Sequence, residues 1–299
     1  MGLLNNLMDR FKNAEFTVAP NKKLKSISAE FKNTFELSLV FYKGKQIADG
    51  DLTLAALNQK TTKEVNTKAD GLKIKASMKV ATLIFNPIGE NTYVLWDETL
   101  ECAIVDCGAS TPTEQATLDN FIAEHGLKPV LAVNTHGHFD HVLGVNHLKR
   151  RYEIPFACSA KDQYLLDGAA AAGNIYGIPT ADMPSIDIDL ATTEELKFGQ
   201  TTLQVIPTPG HTPGGVTLLN ATEKVAFTGD TLFRESIGRT DLEGGDYPTL
   251  MRSILGKLLA LGDEVKIFPG HAESSTIGHE SMYNPFVVEA LQDQINYKH

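Results

Sequence analysis

The sequence predicts a layered α/β protein, and three observations carry that expectation. From Val80 onward, short apolar runs of strand length alternate with amphipathic stretches of helix length. Several of those runs end in Gly- or Pro-marked turns that hold a histidine or an aspartate. The charge also changes sign along the chain: residues 1–77 carry 13 Lys and Arg against 8 Asp and Glu, net +5, whereas residues 78–299 carry 14 against 29, net −15. That break predicts two separately composed modules, a small basic one over 1–77 and an acidic one over 78–299 long enough for a substantial core. An acidic main module argues against nucleic acid as its substrate.

The first module reads as a small α+β domain: a helix near 26–35, a strand over 37–42 turning at Lys43-Gly44-Lys45, a helix near 52–58, a polar loop over 59–70 and a strand over 72–76. Leu3, Leu4, Leu7, Met8 and Phe11 fall at helical spacing over residues 1–12. Such a face suits core packing or a subunit contact better than a membrane surface, and a homodimer through this module is the expectation. In the second module strands are expected at 80–85, 92–96 and 102–106, then a helix over 113–125 capped by Ser110 or Thr111 and ended by Gly126. A strand over 129–134, a helix over 142–152, a buried strand over 154–158 and an Ala-rich helix over 162–172 follow, so βαβ units are implied. Residues 178–191 mix prolines and acids without a period and read as a loop over the site. The second half offers strands near 195–198, 202–206, 216–219 and 224–227, a helix over 247–261 and a strand over 265–268.

No run approaches the ~18 apolar residues of a membrane span, and the first ten residues lack the basic start and apolar core of a signal peptide, so a cytoplasmic protein with no membrane partner is expected. Three scattered cysteines, Cys102, Cys107 and Cys158, are too few for a disulfide framework and read as small buried hydrophobes. Cys107 stands out because it precedes Gly108 at a strand end near the expected active face.

The chemistry concentrates in Thr135-His136-Gly137-His138-Phe139-Asp140-His141, four potential metal ligands directly after a strand. Three more donors sit in turns at later strand ends: His211 in Pro-Gly-His-Thr-Pro-Gly, Asp230 in Thr-Gly-Asp-Thr and His271 in Phe-Pro-Gly-His. Seven nitrogen and oxygen donors suit two divalent ions, zinc first, with iron or manganese also compatible.

An H-x-H-x-D-H run followed by G-H-T-P-G, G-D and P-G-H turns resembles the metallo-β-lactamase fold superfamily, over roughly three quarters of the chain from Met78 on. The wording of residues 230–246 and 275–286 resembles the hydroxyacylglutathione hydrolase (glyoxalase II)-like branch, and within it the short bacterial members that lack a C-terminal helical domain. The resemblance implies a four-layer αββα sandwich, with His136, His138 and His211 on one ion, Asp140, His141 and His271 on the other, and Asp230 bridging them. It further implies that relatives usually carry proline at Cys107, and that Arg239 stands where the long glyoxalase II enzymes have a glutathione-contacting lysine. Arg239 is thus the candidate substrate-binding residue, and a salt bridge to Asp241 or Asp246 is its structural alternative. Ala272-Glu273 departs from the family's usual residues after the last metal-binding histidine, and an anionic side chain there disfavours an anionic carrier such as glutathione.

The expected activity is therefore hydrolysis of an acyl thioester by a metal-activated hydroxide, with Asp140 and Asp230 as catalytic residues. The chain offers no G-x-S-x-G turn for a serine nucleophile. Asp230 replaces the cysteine of some β-lactam-hydrolysing relatives, which argues against β-lactams. Two other readings stand beside it. Persulfide dioxygenases share this fold and a G-R-T-D turn like Gly238–Asp241, and would use His136, His211 and Asp230 on one iron; the full second ligand set favours the hydrolase. Alternatively the N-terminal module is a protein-binding unit on a metal-stabilised scaffold.

Overall fold

Side-chain alternation along the strands decides the layers. The computed structural model describes residues 41–42, 45–46, 77–178, 180 and 183–296. The chain divides into two units, Met1–Ile74 and Lys75–His299. In the first, β1 (Phe41–Tyr42) and β2 (Lys45–Gln46) pair antiparallel with Tyr42 opposite Lys45. The helices and other strands expected in this unit, and the apolar face over residues 1–12, lie outside the described residues.

The second unit holds two six-stranded sheets. The first runs in the order β3 (Lys79–Phe85), β4 (Glu90–Trp96), β5 (Glu101–Val105), β6 (Lys128–Val133), β7 (Phe156–Cys158), β8 (Ile188–Asp189). Its first two junctions are antiparallel and the last three parallel. Parallel pairing is possible because α1 (Pro112–Glu124) crosses between β5 and β6, and α2 (Phe139–Val142) with α3 (Val145–Tyr152) between β6 and β7. After β7, a single 3-10 turn leads into α4 (Gln163–Ile175). The second sheet comprises β9 (Glu195–Phe198), β10 (Thr201–Pro207), β11 (Val216–Asn220), β12 (Val225–Gly229), β15 (Lys266–Pro269) and β16 (Ser275–Thr276), in that spatial order. A small hairpin, β13 (Leu232–Phe233) with β14 (Ser236–Ile237), and α5 (Tyr247–Ser253) lie between β12 and β15, while α6 (Ile277–Tyr283) and α7 (Pro285–Asn296) follow.

Tyr93, Leu95, Ala103, Val105, Leu131 and Val133 of the first sheet pack against Leu203, Val205, Leu218 and Phe227 of the second. Their neighbours in sequence point the other way: Val94, Ile104 and Ala132 meet Leu118 and Ile122 of α1 and Val145 and Leu148 of α3. On the far side Leu219, Ala226 and Ile267 meet Leu250, Ile254, Ile277 and Val287. Two inner sheets covered by helices on both outer faces form the expected αββα sandwich.

Local chemistry explains the boundaries. Thr111 caps α1 in a reciprocal capping box with Glu114, and Pro112 opens it. The helix expected over 142–152 instead breaks at Leu143-Gly144, because Gly144 N donates to the Cys107 carbonyl at 2.8 Å instead of within a helix, so close to Cys107 and Ala109 that no side chain would fit. The helix expected over 247–261 loosens after Ser253 into a π turn and a 3-10 turn. The span expected as one loop, 178–191, contains the edge strand β8, held on β7 by backbone pairing that its sequence does not advertise. Among the described residues no helix is long and apolar enough to cross a membrane.

At one end of the sandwich a buried carboxylate joins the sheets. Asp97, after β4, accepts hydrogen bonds from Thr99 N and Oγ1 (2.9 and 2.6 Å) and, across the sandwich, from Gln200 N and Thr201 Oγ1 (2.7 and 2.9 Å). Burial raises its pKa, but these bonds prevail and hold it below the ordinary carboxylate value. Since the folded-state pKa is the depressed one, the stabilisation is complete above the unfolded value of about 3.9 and is lost as pH falls through the folded pKa. Replacing Asp97→Asn is expected to cost about 1–3 kcal/mol at neutral pH. In urea denaturation the variant should also lose less stability than wild type between about pH 5 and about pH 3; equal losses would show that Asp97 is not the titrating group.

Candidate metal centre

The opposite end of the sandwich gathers the carboxyl ends of β5, β6, β10, β12 and β15, and every expected ligand comes from the turns that follow them. Asn91 and Tyr93 of β4 clamp the last of these turns. Asn91 Nδ2 donates to the carbonyls of Pro269 (3.1 Å) and Ala272 (2.8 Å), and Tyr93 Oη donates to Pro269 (2.5 Å). Gly270 is required here, since a Cβ would run into Asp230 Oδ1 and His141.

His136, His138 and His211 bring one donor atom each within 4.8 Å of one another, as do Asp140, His141 and His271. His138 Nδ1 and His211 Nε2 are 2.8 Å apart. In the second group His141 Nε2 and His271 Nε2 are 3.2 Å apart, and Asp140 Oδ2 is 3.5 and 3.3 Å from them. Asp230 lies between the groups: Oδ1 is 3.6 Å from His141 Nε2, and Oδ2 is 3.6 Å from both His211 Nε2 and His271 Nε2. All seven predicted ligands are therefore in one place.

Whether these residues fit metal ions is decided by where their lone pairs point. Thr135 Oγ1 donates to Asp106 Oδ2 at 2.7 Å, so toward His136 Nδ1, 3.1 Å away, it can only accept. That places the proton on Nδ1 and leaves the buried Nε2 of His136 with a free lone pair and no hydrogen-bond partner. His211 Nδ1 donates to the Arg239 carbonyl (2.7 Å) and His271 Nδ1 to that of Gly89 (3.3 Å), freeing both Nε2 atoms. His141 Nδ1 faces Asp106 at 3.3 Å in an ion-pair contact without a hydrogen bond, which turns its Nε2 toward Asp140 and Asp230. Asp230 Oδ1 is likewise buried without a hydrogen-bond partner. Lone pairs aimed at shared points from a nitrogen and oxygen donor set are what divalent ions require, so the residues fit.

Electrostatics agree. Burial, then the neighbouring imidazoles, hold His136 well below the ordinary histidine range; burial, then His211, pushes His138 down to about 3. Burial opposes the Asp140 charge, but His141 and His271 overcome it and keep the carboxyl far below its usual range. Burial also opposes a charge on His141, yet Asp140, Asp230 and Asp106 draw it well above. The pocket thus concentrates negative charge where a cation would sit.

Supporting residues escaped the sequence reading. Asp106, in a left-handed conformation (φ 51°), accepts from Thr135 N as well as Oγ1, both at 2.7 Å, and so fixes β5 to the metal loop while holding His141. It could be grouped with His136 and His141 as a ligand, but it faces the Nδ1 side of His141, away from Asp140 and Asp230, and is an orienting residue. Asp162, fully buried, accepts from Gly137 N (2.9 Å), Thr212 Oγ1 (2.8 Å) and Gly214 N (2.6 Å), tying the His136–His141 loop to the His211 turn. The one signal available was for Asp106, an acid directly after a strand, as Asp230 also is.

Arg239 makes the salt bridge with Asp241, not Asp246: Nε and Nη2 reach its carboxylate at 2.7 and 2.8 Å, while Asp246 caps α5 through Thr249 N. Arg239 remains half exposed. Glu273 is 82% exposed and 3.9 Å from Arg234, so its charge is partly balanced. All three cysteines are free and buried, and burial pushes the Cys107 thiol far above the range of a reactive thiolate.

Residues 86–271 match the Metallo-beta-lactamase superfamily. The chain is 35% identical to hydroxyacylglutathione hydrolase GloC of Haemophilus influenzae, over 70% of this chain and 98% of that one. Among solved structures, BLEG-1 B3 metallo-beta-lactamase aligns with a TM-score of 0.64 at 35% identity, over 70% of this chain and 99% of its own. TTHA1623 in a di-iron-bound form aligns at 0.62 and 33%, over 69% and 100%. ETHE1 from Myxococcus xanthus aligns at 0.58 and 26%, over 71% and 85%.

Removing the Asp106 charge should loosen His141. Asp106→Asn is expected to weaken retention of one of two metal equivalents about 10- to 100-fold in chelator competition followed by elemental analysis, and wild-type retention of both would show that Asp106 does not orient a ligand.

Proposed function

The chain belongs to the metallo-beta-lactamase superfamily, and from that premise we propose that it is a binuclear metal-dependent hydrolase of acyl thioesters, similar in activity to hydroxyacylglutathione hydrolases. The observation that carries the metal-hydrolase reading is the convergence of seven donors, with His136 Nε2 and Asp230 Oδ1 buried without partners. Similarity to GloC supports the thioester.

His136, His138 and His211 would hold one ion, Asp140, His141 and His271 the other, and Asp230 both. Divalent ions bound there supply a hydroxide near neutral pH and polarise a carbonyl. Zinc suits the donors first, and the di-iron form of TTHA1623 keeps iron open. Asp230, with its carboxylate between the two histidine groups, would orient the nucleophile that such ions supply. Asp140, whose carboxylate lies 3.5 and 3.3 Å from His141 Nε2 and His271 Nε2, would take up the proton released as the thiolate leaves. A thiolate departs without a strong general acid. Arg239, preorganised by Asp241 and tied through its carbonyl to His211, binds the substrate beside the first histidine group.

Similarity to ETHE1 and the Gly238–Asp241 turn favour one other reading, a mononuclear-iron persulfide dioxygenase using His136, His211 and Asp230. One set of assays separates them. Protein loaded separately with zinc, iron or manganese should hydrolyse S-D-lactoylglutathione, and Asp230→Ala should reduce kcat/KM at least about 100-fold. One iron per chain with oxygen uptake on a persulfide, and no hydrolysis, would replace the hydrolase with the dioxygenase. A chromogenic cephalosporin serves as the control for the likeness to BLEG-1.

A further inference from the structure

Each sheet of the second unit ends in strands that pair on one side only, β3 and β8 in the first sheet, β9 and β16 in the second. β8 and β16 hold two residues each, and β3 carries a single charge, Lys79, with no acid to meet it. β9 is built differently. Val205 N donates to the Glu194 carbonyl at 2.8 Å, and the register pairs Leu196 with Leu203 and Phe198 with Thr201. Hydrogen-bonded pairs alternate with open ones in an antiparallel ladder, so Glu195 and Lys197 turn their N–H and C=O groups away from β10, toward the free edge. Among the described residues no strand pairs with that edge.

The side chains of the same two residues are 50% and 69% exposed and stand 3.5 Å apart, while Leu196 between them is buried in the apolar layer between the sheets. A groove of about 480 Å³ runs beside residues 193–197, with Val130, Leu131, Pro155 and Ile188 on its other side, so the edge is open to an incoming strand. Exposed edges are ordinarily guarded by lysine, proline or a bulge. On β9 the charges guard against most strands but match one. Antiparallel pairing with β9 of a second copy, centred on Leu196, sets Glu195 opposite the partner's Lys197 and Lys197 opposite the partner's Glu195. These are the positions whose backbone groups are free, so each pair also exchanges both of its N–H···O bonds in that register. Leu196 meets the partner's Leu196 on the groove side, extending the apolar floor. The contact is isologous, and like charges never face each other.

We propose that β9 is a self-complementary docking edge through which two copies of this chain pair, joining their second sheets into one continuous sheet. The proposal is independent of the thioesterase reading, and it assigns a subunit contact to the second unit, whereas the sequence expectation assigned one to the first.

Sedimentation of the full-length protein should show a dimer. Lys197→Glu sets acid against acid in both pairs and Glu195→Lys sets base against base, so each is expected to raise the dimer dissociation constant at least about tenfold. Glu195→Lys combined with Lys197→Glu restores the opposite charges and should return the constant to within about threefold of wild type. Both side chains are exposed, so an unchanged Tm in every variant separates lost pairing from lost folding. In hydrogen exchange the amides of Glu195 and Lys197 should be protected in the wild-type dimer and unprotected in the single variants. A wild type that stays monomeric would leave the edge to some other strand and overturn the proposal. A dimer indifferent to the single variants, single variants that the exchanged pair does not rescue, or unprotected amides in a wild-type dimer would overturn it as well.

Discussion

The seven donors proposed to hold metal ions converge at one end of the sandwich, four of them buried and three partly buried, and the rest of the unit is arranged around that convergence. A buried polar atom without a partner costs on the order of 1–3 kcal/mol, and a cluster of carboxylates with no compensating cation costs more. His136 Nε2 and Asp230 Oδ1 are both in this state. Such atoms persist only where the surroundings leave them no other geometry. Thr135 supplies that restraint for His136 and the Arg239 carbonyl for His211, each by occupying the ring nitrogen that faces away from the centre, while Asp106 sets His141 through a 3.3 Å ion-pair contact.

The two-sheet architecture makes such restraint cheap. Donors delivered by four strand ends inherit the rigidity of the ladders behind them, whereas a single long loop would have to order each donor separately. Contacts between turns complete the arrangement: Asp162 binds backbone from two ligand-bearing turns, and Asn91 with Tyr93 lets the first sheet hold the His271 turn of the second. At the far end Asp97 does the same for the β4–β5 and β9–β10 turns, with Gly199 (φ 52°) leaving room for its carboxylate. Polar groups buried between turns fix the relative position of the sheets more sharply than the apolar core can, because hydrogen bonds are directional and dispersion contacts are not.

This division also explains what could be read in the sequence. Ligand spacing was legible because each donor sits in its own short turn, and the turns are marked by Gly and Pro whatever the partner. Apolar runs of strand length disclosed β4, β5 and β6, whose two faces meet different apolar layers. Asp106 and Asp162 were not legible, since nothing local separates an orienting carboxylate from a ligand; their roles are set by Thr135 and His141 in one case and by Gly137 and Gly214 in the other, 25 to 52 residues away. Edge strand β8 has two residues and no pattern of its own. The break before α3 depends on contact between Gly144 and Cys107, a packing fact between distant positions. For Arg239 both salt-bridge partners were open, and geometry resolved the choice because Asp246 is engaged at the start of α5.

Specificity obeys a different logic from metal binding. The donors that hold the ions are confined by their supports and can vary little without losing the ions, so relatives that share them can differ only in what surrounds the mouth. In this chain the surroundings are unevenly built. On the His138 and His211 side stand Tyr176 and the Arg239–Asp241 pair, polar and anchored from beneath. Beside His271 stand the Phe233 ring, 6.4 Å away, and the exposed Glu273 near Arg234. The two ligand groups thus differ in what surrounds them, an oriented set of polar groups on one side and an aromatic, weakly charged wall on the other, and that asymmetry rather than the shared donors gives the centre a direction.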